Sequence, residues 1–280
     1  MDRQRPDRCP GVLRPWPADD GLLVRLRLPG GRVSSSSLLA LVEVAERYGD
    51  GRVHVTGRAN LQVRAFPAEP GTDRLRPDVL AATEATGLLP SRTHDLARNL
   101  MVSPQTGLAG GRADLRPVLR ELDQRIRADP RLGALPGRFL HALDDRGDFL
   151  DRSCDLGLVA LDADRGQLRV GQGWGPVVTL ADAPAALLDL ARLFLDRRGD
   201  GRGAAWHVAE LPAPLVEPRP PDPGLPPPAP PLPYGAVPGG VHEPVPAAGL
   251  DRSAVARLTA AAPALVATPW RGVLIPEETP

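Results

Sequence analysis

A strict alternation of apolar and polar residues marks the stretch 51–66, which reads GRVHVTGRANLQVRAF. From Val53 to Ala65 every odd position is apolar or glycine and every even position is polar. Period two is typical of a strand with one face on a core, so the stretch predicts one strand, or two strands in line. Its polar face holds arginine, histidine and carboxamide side chains and no acid. That composition favours a surface that meets an anion over an ordinary solvated strand face.

The flanking patterns predict a ferredoxin-like half-unit. Leu22 to Leu28 alternates and ends at a Pro-Gly-Gly break, which indicates a strand. Apolar residues at helical spacing follow the serines at 34–37 and continue to Tyr48, and a second helix is signalled by Pro77. If the two strands share a sheet, Arg25 and Arg58 project from the same side.

The middle of the chain predicts an α+β unit. Residues 90–111 are largely irregular, a long loop of the kind that is often functional. A helix follows Asp114, strands with antiparallel hairpins are predicted from 139 to 170, a helix covers 184–197 and a last strand covers 204–208. The Gly171-x-Gly173-x-Gly175 run lacks the spacing of a dinucleotide site.

Fifteen of the 35 residues at 212–246 are proline, which predicts an extended linker. Beyond it, a helix capped by Asp251 and two short strands loosely repeat the first unit, with Thr268 and Arg271 matching Thr56 and Arg58. The predicted boundaries are 1–90 for the first half-domain, 91–211 for the central domain, 212–246 for the linker and 247–280 for a shortened second half-domain.

The bulk composition excludes several function classes. The 280 residues have zero net charge and a pI near 7.0, which disfavours nucleic acid or a membrane as the principal partner. All 34 basic residues are arginine, a sign of coding bias that weakens each arginine as a functional signal. Cys9 and Cys154 are too few to hold a four-thiolate cluster, and no metal site is predicted. Without a signal peptide or an apolar span, a cytoplasmic location is expected.

The T-x-R-x-N-x-Q pattern formed by Thr56, Arg58, Asn60 and Gln62 resembles the signature of the sulfite and nitrite reductase superfamily. Three further segments occur in that family's order: Arg25–Gly31, Ala97–Met101 and Leu135–Phe139. Within the superfamily, the segments Thr268–Pro276 and Ala142–Asp145 look most like precorrin-3B synthase, the oxygen-using monooxygenase of aerobic cobalamin synthesis.

The resemblance implies a fold of ferredoxin-like half-domains around a reductase-type α+β domain with an antiparallel sheet. It implies binding of an anionic tetrapyrrole, with precorrin-3A hydroxylated by dioxygen and closed to a lactone. A sirohaem-dependent nitrite or sulfite reductase and a truncated, non-catalytic tetrapyrrole-binding paralogue are the alternatives. The catalytic positions that match the family are Arg25, Arg98 and Arg138. The cofactor-binding positions are His54, Thr56, Arg58, Asn60, Gln62 and Asn99.

Two departures from the family pattern affect the expected chemistry. Leu140 stands where sulfite reductases carry a second lysine, which disfavours six-electron reduction. The family's 4Fe–4S cysteines lie downstream of the Thr-Pro-Trp-Arg segment, and Pro280 precedes them. The expected partners are therefore a subunit that supplies the iron–sulfur cluster and an electron donor protein; the alternative is that no electron delivery occurs.

Overall fold

The computed structural model of the protein describes residues 7–277. The chain folds into two compact units. One, here called the terminal unit, is formed by two separate stretches of the chain, residues 9–95 and 232–277; the other, the central unit, is formed by residues 96–231 together with Asp7 and Arg8. Within the described residues, no helix combines the length and the apolar composition that a membrane crossing requires.

The first repeat of the terminal unit confirms the predicted strand–helix–strand–helix order. Its elements are β1 (Trp16–Ala18), β2 (Gly21–Leu26), β3 (Arg32–Ser34), α1 (Ser35–Tyr48), β4 (His54–Val55), β5 (Leu61–Phe66) and α2 (Pro77–Ala85). The sheet has the order β1-β2-β5-β4. Ser34 begins α1 by accepting a hydrogen bond from the Ser37 amide at 3.0 Å, and the apolar stripe of the helix covers the sheet.

The stretch 53–65, predicted as one strand or two in line, is instead a tight antiparallel hairpin. Val55 pairs with Leu61, and the chain reverses between Thr56 and Asn60, whose carbonyl accepts the Thr56 amide at 2.9 Å. The left-handed position of the turn, with φ of 56°, is Ala59 rather than glycine, so the usual turn signal is missing there. The hairpin still shows the alternation of apolar and polar residues, because the side chains of residues paired across its two strands lie on the same face of the sheet.

The central unit is a five-stranded sheet packed on two helices. Its elements are β6 (Leu100–Val102), α3 (Arg116–Ala128), β7 (His141–Asp144), β8 (Leu156–Ala160), β9 (Arg165–Val170), β10 (Gly173–Thr179) and α4 (Ala183–Arg197), with the sheet order β10-β9-β8-β7-β6. The core is built on side chains such as Leu122, Ile126, Leu187 and Phe194. The α+β class is confirmed.

The details of this sheet differ from the prediction. Strands β6, β7 and β8 are parallel, and only β8-β9 and β9-β10 pair antiparallel. The glycine run is the turn into β10, with Gly171 at φ 60°. Residues 204–207 lie outside any strand, and Val208–Glu210 form a single 3₁₀ turn instead of the predicted strand. Periodicity over so few residues does not distinguish a strand from an extended loop.

The proline-rich segment begins as an ordered extended chain on the central unit. The Gln167 side chain donates to the Pro220 carbonyl at 2.9 Å and accepts the Asp222 amide at 2.8 Å. Further along, the Ala229 amide donates to the Gly147 carbonyl at 2.9 Å. The segment predicted as a linker therefore has fixed contacts along its first part.

The second repeat starts at Gly235, inside the stretch predicted as linker. It consists of β11 (Gly235–Val237), β12 (Gly240–Pro244), α5 (Arg252–Ala261), β13 (Ala264–Ala267) and β14 (Gly272–Pro276). The sheet order β11-β12-β14-β13-β3 reproduces the order of the first repeat and adds β3 at its edge. Two backbone hydrogen bonds between Val53 and Leu250, at 2.9 and 2.8 Å, join the repeats.

A candidate anion-binding cleft

A row of polar side chains crosses three strands of the first repeat. Arg25 on β2 lies opposite Gln62 on β5, and Gln62 lies opposite His54 on β4. Residues in register share one face of a sheet, while Val24 and Val63 point into the core on the other face. The Arg25 guanidinium donates to the Gln62 side-chain oxygen at 3.1 Å. The register confirms the prediction that His54 and Gln62 share a polar face, and it places Arg25 on that face. Arg58, which was predicted to project from the same side as Arg25, lies in the turn between β4 and β5.

The row forms one wall of a cleft of about 390 Å³ within the terminal unit. The lining residues are Arg25, His54, Val55, Thr56, Gly57, Gln62 and Arg64 from the first repeat and Val245, Pro246, Ala247 and Arg271 from the second. The Val245 amide donates to the Arg271 carbonyl at 2.9 Å, which fixes the wall from the second repeat. The cleft is thus built by both repeats.

The charges of the cleft are unevenly compensated. Arg64 forms a two-pronged pair with Asp20 at 3.0 and 3.2 Å, and His54 contacts Asp50 at 3.3 Å. Arg25 contacts Gln62 and the Cys9 sulfur, the latter at 3.6 Å, but no carboxylate among residues 7–277. Arg271 likewise has no ion-pair partner within that range. Two guanidinium groups are therefore available to an anion, which they bind with paired, charge-assisted hydrogen bonds.

Thr56 and Asn60 shape the turn beside the cleft. The Thr56 hydroxyl accepts the Asn60 amide at 3.1 Å, and the Asn60 side-chain oxygen accepts the Leu28 amide at 2.9 Å. Asn60 is buried, so its carboxamide holds the corner that follows β2. Arg58 lies half-buried in the turn and does not line the cleft. A cofactor-binding role for Arg58 and Asn60 stays a prediction.

Three predicted site residues, Arg98, Asn99 and Arg138, belong to the central unit. Arg98 is buried and binds Asp123 with two hydrogen bonds of 2.7 and 3.2 Å. The Asn99 carboxamide donates to the Gly137 carbonyl at 2.8 Å. Arg138 is half exposed, pairs with Asp7 at 3.5 Å and lies 5.5 Å from the ring centre of Trp206. Their functional roles stay predictions.

Sequence reasoning missed Arg27, although the alternation places it on the same face as Arg25. Its guanidinium donates to the Asp95 carbonyl at 2.8 Å and to the Cys9 sulfur at 3.4 Å, and its Nε has no partner in the described part of the chain. Burial lowers the pKa of Arg27, and Cys9 and Asp95 oppose that effect. Arg27 therefore links the end of β2 to Asp95 and Cys9.

The cysteines do not fit the family's iron–sulfur cluster. Burial raises the pKa of Cys154 to about 12, which disfavours the thiolate that a cluster needs. Cys9 is buried against Arg25 and Arg27. Over residues 7–277, no three histidine, cysteine or acidic side chains converge as a metal site.

Comparison with known proteins agrees with this architecture. Residues 17–69, which contain β2, β3, α1, β4, β5 and most of β1, match the model of the nitrite/sulfite reductase ferredoxin-like half domain. A ferredoxin–nitrite reductase of Leptolyngbya laminosa is 32% identical over 145 residues, which cover 49% of this chain and 28% of that protein. A precorrin-3B synthase of Sinorhizobium sp is 40% identical over 60 residues, which cover 21% and 13%.

The solved structure of the Mycobacterium tuberculosis NirA protein shares the fold. It superposes with a TM-score of 0.66 at 18% identity and covers 96% of this chain and 59% of its own. The chain thus spans between 13 and 59% of the length of these proteins. The half-domain match over residues 17–69 and the partial similarity to the nitrite reductase and the precorrin-3B synthase support assignment of the chain to the sulfite/nitrite reductase superfamily, and the match to NirA shows the fold.

Proposed function

We propose that the terminal unit binds an anionic tetrapyrrole in its cleft and that the protein is an oxidoreductase of the precorrin-3B synthase type. The reaction would be the oxygen-dependent hydroxylation of precorrin-3A with lactone formation, in cobalamin biosynthesis. The observation that carries the proposal is the Arg25 guanidinium, which is held by Gln62 and has no carboxylate partner within residues 7–277.

The chemistry of the ligand matches that of the cleft. Early tetrapyrroles carry acetate and propionate groups around the macrocycle, and arginine binds a carboxylate through two parallel hydrogen bonds. Gln62 uses its oxygen to orient Arg25, so the remaining donors of the guanidinium are directed before the ligand arrives. His54 and Gln62 add further polar groups along the same row.

One feature of the central unit favours the oxygenase reaction over sulfite or nitrite reduction. The sulfite reductases that this chain resembles carry a second cation at the position of Leu140. Leu140 is instead buried beside Met101 and Phe149 in an apolar cluster. No charge from that position can stabilise a bound inorganic anion. The nitrite reductase relatives, 32% identical, nevertheless support sirohaem binding as the second candidate function.

We do not propose that this chain binds an iron–sulfur cluster, because Cys9 and Cys154 do not fit one. A cluster, a partner subunit that carries it and an electron donor protein would all lie outside these 280 residues. What this chain contributes is the binding and orientation of the carboxylates.

The binding step is tested with uroporphyrin III, which carries acetate and propionate on every pyrrole ring. Arg25→Gln is expected to weaken binding roughly 10- to 100-fold, because a charge-assisted hydrogen bond contributes about 1.5–3 kcal/mol. Arg257→Gln is the matched control, since Arg257 pairs with Glu243 on the surface and does not line the cleft. Equal loss in both variants would mean non-specific charge attraction, and no loss in Arg25→Gln would remove the assignment.

The reaction is tested by supplying precorrin-3A, dioxygen and a reductant to protein purified anaerobically from a cobalamin-producing host. A product one oxygen atom heavier supports the precorrin-3B synthase reaction. Co-purified iron isobacteriochlorin with reduction of nitrite supports the second candidate. Protein without pigment and without either product contradicts both reactions.

A further inference from the structure

The turns after β4 and β13 are built identically. In the first repeat the Thr56 amide donates to the Asn60 carbonyl at 2.9 Å, and the Ala59 amide donates to the Thr56 carbonyl at 3.0 Å. In the second repeat the corresponding bonds join Thr268 with Gly272 at 2.9 Å and Arg271 with Thr268 at 3.1 Å. The threonine hydroxyl accepts the fifth amide of the turn in both, at 3.1 and 3.2 Å.

This equivalence corrects the sequence alignment of the repeats by one residue. Arg271 occupies the position of Ala59, and Trp270 occupies the position of Arg58. Both Ala59 and Arg271 are left-handed, with φ of 56° and 61°. Glycine is the residue that ordinarily takes this conformation, so a long cationic side chain there is an outlier that points to a function.

The backbone of Arg271 is fixed on both sides. Its amide donates to the Thr268 carbonyl at 3.1 Å and its carbonyl accepts the Val245 amide at 2.9 Å. The next residue must be glycine, since a Cβ at Gly272 would collide with the ring of His242. His242 is itself held by the Thr268 hydroxyl at 2.9 Å. Among the turn residues 268–272, Arg271 is the one that lines the cleft.

The Arg271 side chain is exposed in the cleft and has no polar partner among residues 7–277. Arg64, the other arginine nearby, is neutralised by Asp20. The first repeat thus contributes one uncompensated guanidinium, that of Arg25, and the second repeat contributes one, that of Arg271. A ligand in the cleft meets a cation from each repeat.

We propose that Arg271 is a specificity-determining residue that, with Arg25, selects macrocycles bearing carboxylates on more than one edge. The proposal rests on the proposed function, because it assigns a second anchoring point in the same cleft. A ligand with carboxylates along one edge only would engage one guanidinium and leave the other hydrated. Ligands with acid groups on all rings would engage both.

The test compares uroporphyrin III with mesoporphyrin IX, whose two propionates lie side by side on one edge of the macrocycle, by fluorescence titration of the full chain. Wild-type protein is expected to prefer uroporphyrin at least tenfold. Arg271→Gln should weaken uroporphyrin binding about tenfold and leave mesoporphyrin binding within about threefold, so that the preference is lost. The control is again Arg257→Gln, which should keep both affinities.

Arg271→Gly separates recognition from folding, because glycine suits the left-handed position. We expect this variant to keep the melting temperature of the wild type and to lose the preference for uroporphyrin as Arg271→Gln does. If both Arg271 variants bind like the wild type while Arg25→Gln does not, the inference fails and the proposed function stands. If wild-type protein binds neither porphyrin, the proposed function fails and the inference fails with it.

Discussion

Replacing Arg98 tests whether this residue, predicted from the sequence as catalytic, serves the fold of the central unit. Its Nε and Nη2 atoms donate to the two carboxylate oxygens of Asp123 at 2.7 and 3.2 Å. The exposed fractions of the two side chains are 9% and 14%. Both side-chain hydrogen bonds of the Arg98 guanidinium therefore go to the largely buried carboxylate of Asp123, and Arg98→Ala should destabilise the unit.

The expected loss in the free energy of unfolding depends on the contacts that Asp123 keeps. Breaking a buried ion pair by removing one partner costs about 3–5 kcal/mol, because the other charge stays buried. In Arg98→Ala, Asp123 keeps the Nε of Arg127 at 3.1 Å, so we expect the lower end, about 3 kcal/mol. In Asp123→Ala, Arg98 keeps no carboxylate, so we expect about 4–5 kcal/mol.

The assay is urea denaturation followed by tryptophan fluorescence, with Trp16 and Trp270 replaced by phenylalanine in every protein so that the signal comes from the central unit. The control is Arg131→Ala, because Arg131 and Asp196 form a surface pair of 2.6 Å with exposed fractions of 60% and 58%. That control should cost less than about 1 kcal/mol.

A loss below about 1 kcal/mol in both Arg98→Ala and Asp123→Ala would refute the reasoning. The pair would then contribute no more than a surface contact. Arg98 would be free to bind a ligand, as the family resemblance implies. A loss in Asp123→Ala that is larger than in Arg98→Ala would confirm the asymmetry assigned to Arg127.

Two further predictions concern pH. Burial raises the pKa of Asp148 from 3.8 to about 6, so the native state binds more protons than the unfolded state between these values. Stability should fall as pH rises through that window, and Asp148→Asn should remove up to about 3 kcal/mol of this fall, measured by unfolding at about pH 4 and about pH 7. Burial lowers the pKa of His141 from 6.5 to about 4, so between these values the unfolded state binds more protons than the native state. Stability should therefore fall as pH drops through that range, the reverse of the effect of Asp148. Because no described group pairs with either ring nitrogen, His141→Leu should abolish this acid loss and gain about 1–2 kcal/mol near pH 7; a variant with the wild-type pH profile would contradict it.

Local patterns in the sequence were sufficient for most helices and for the polar face of the cleft. The helical spacing of apolar residues identified α1, α3, α4 and α5, since one stripe of each must be buried. The alternation around Gln62 placed it on one face with His54, since the period of a strand is two residues. The alternation could not reveal that the chain reverses direction at Ala59, because a left-handed turn forms there without glycine.

The sequence by itself determined which side chains face the core, which polar residues share a strand face, and the superfamily motifs. Only the tertiary structure decided which arginines keep an uncompensated charge. Arg64 meets Asp20 and Arg98 meets Asp123 across 44 and 25 residues of sequence, whereas Arg25 meets Gln62 across 37. The physical reason is that an ion pair depends on distance in space, which hydrophobic periodicity does not encode. The equivalence of Arg271 with Ala59 was likewise visible only in the hydrogen bonds of the two turns.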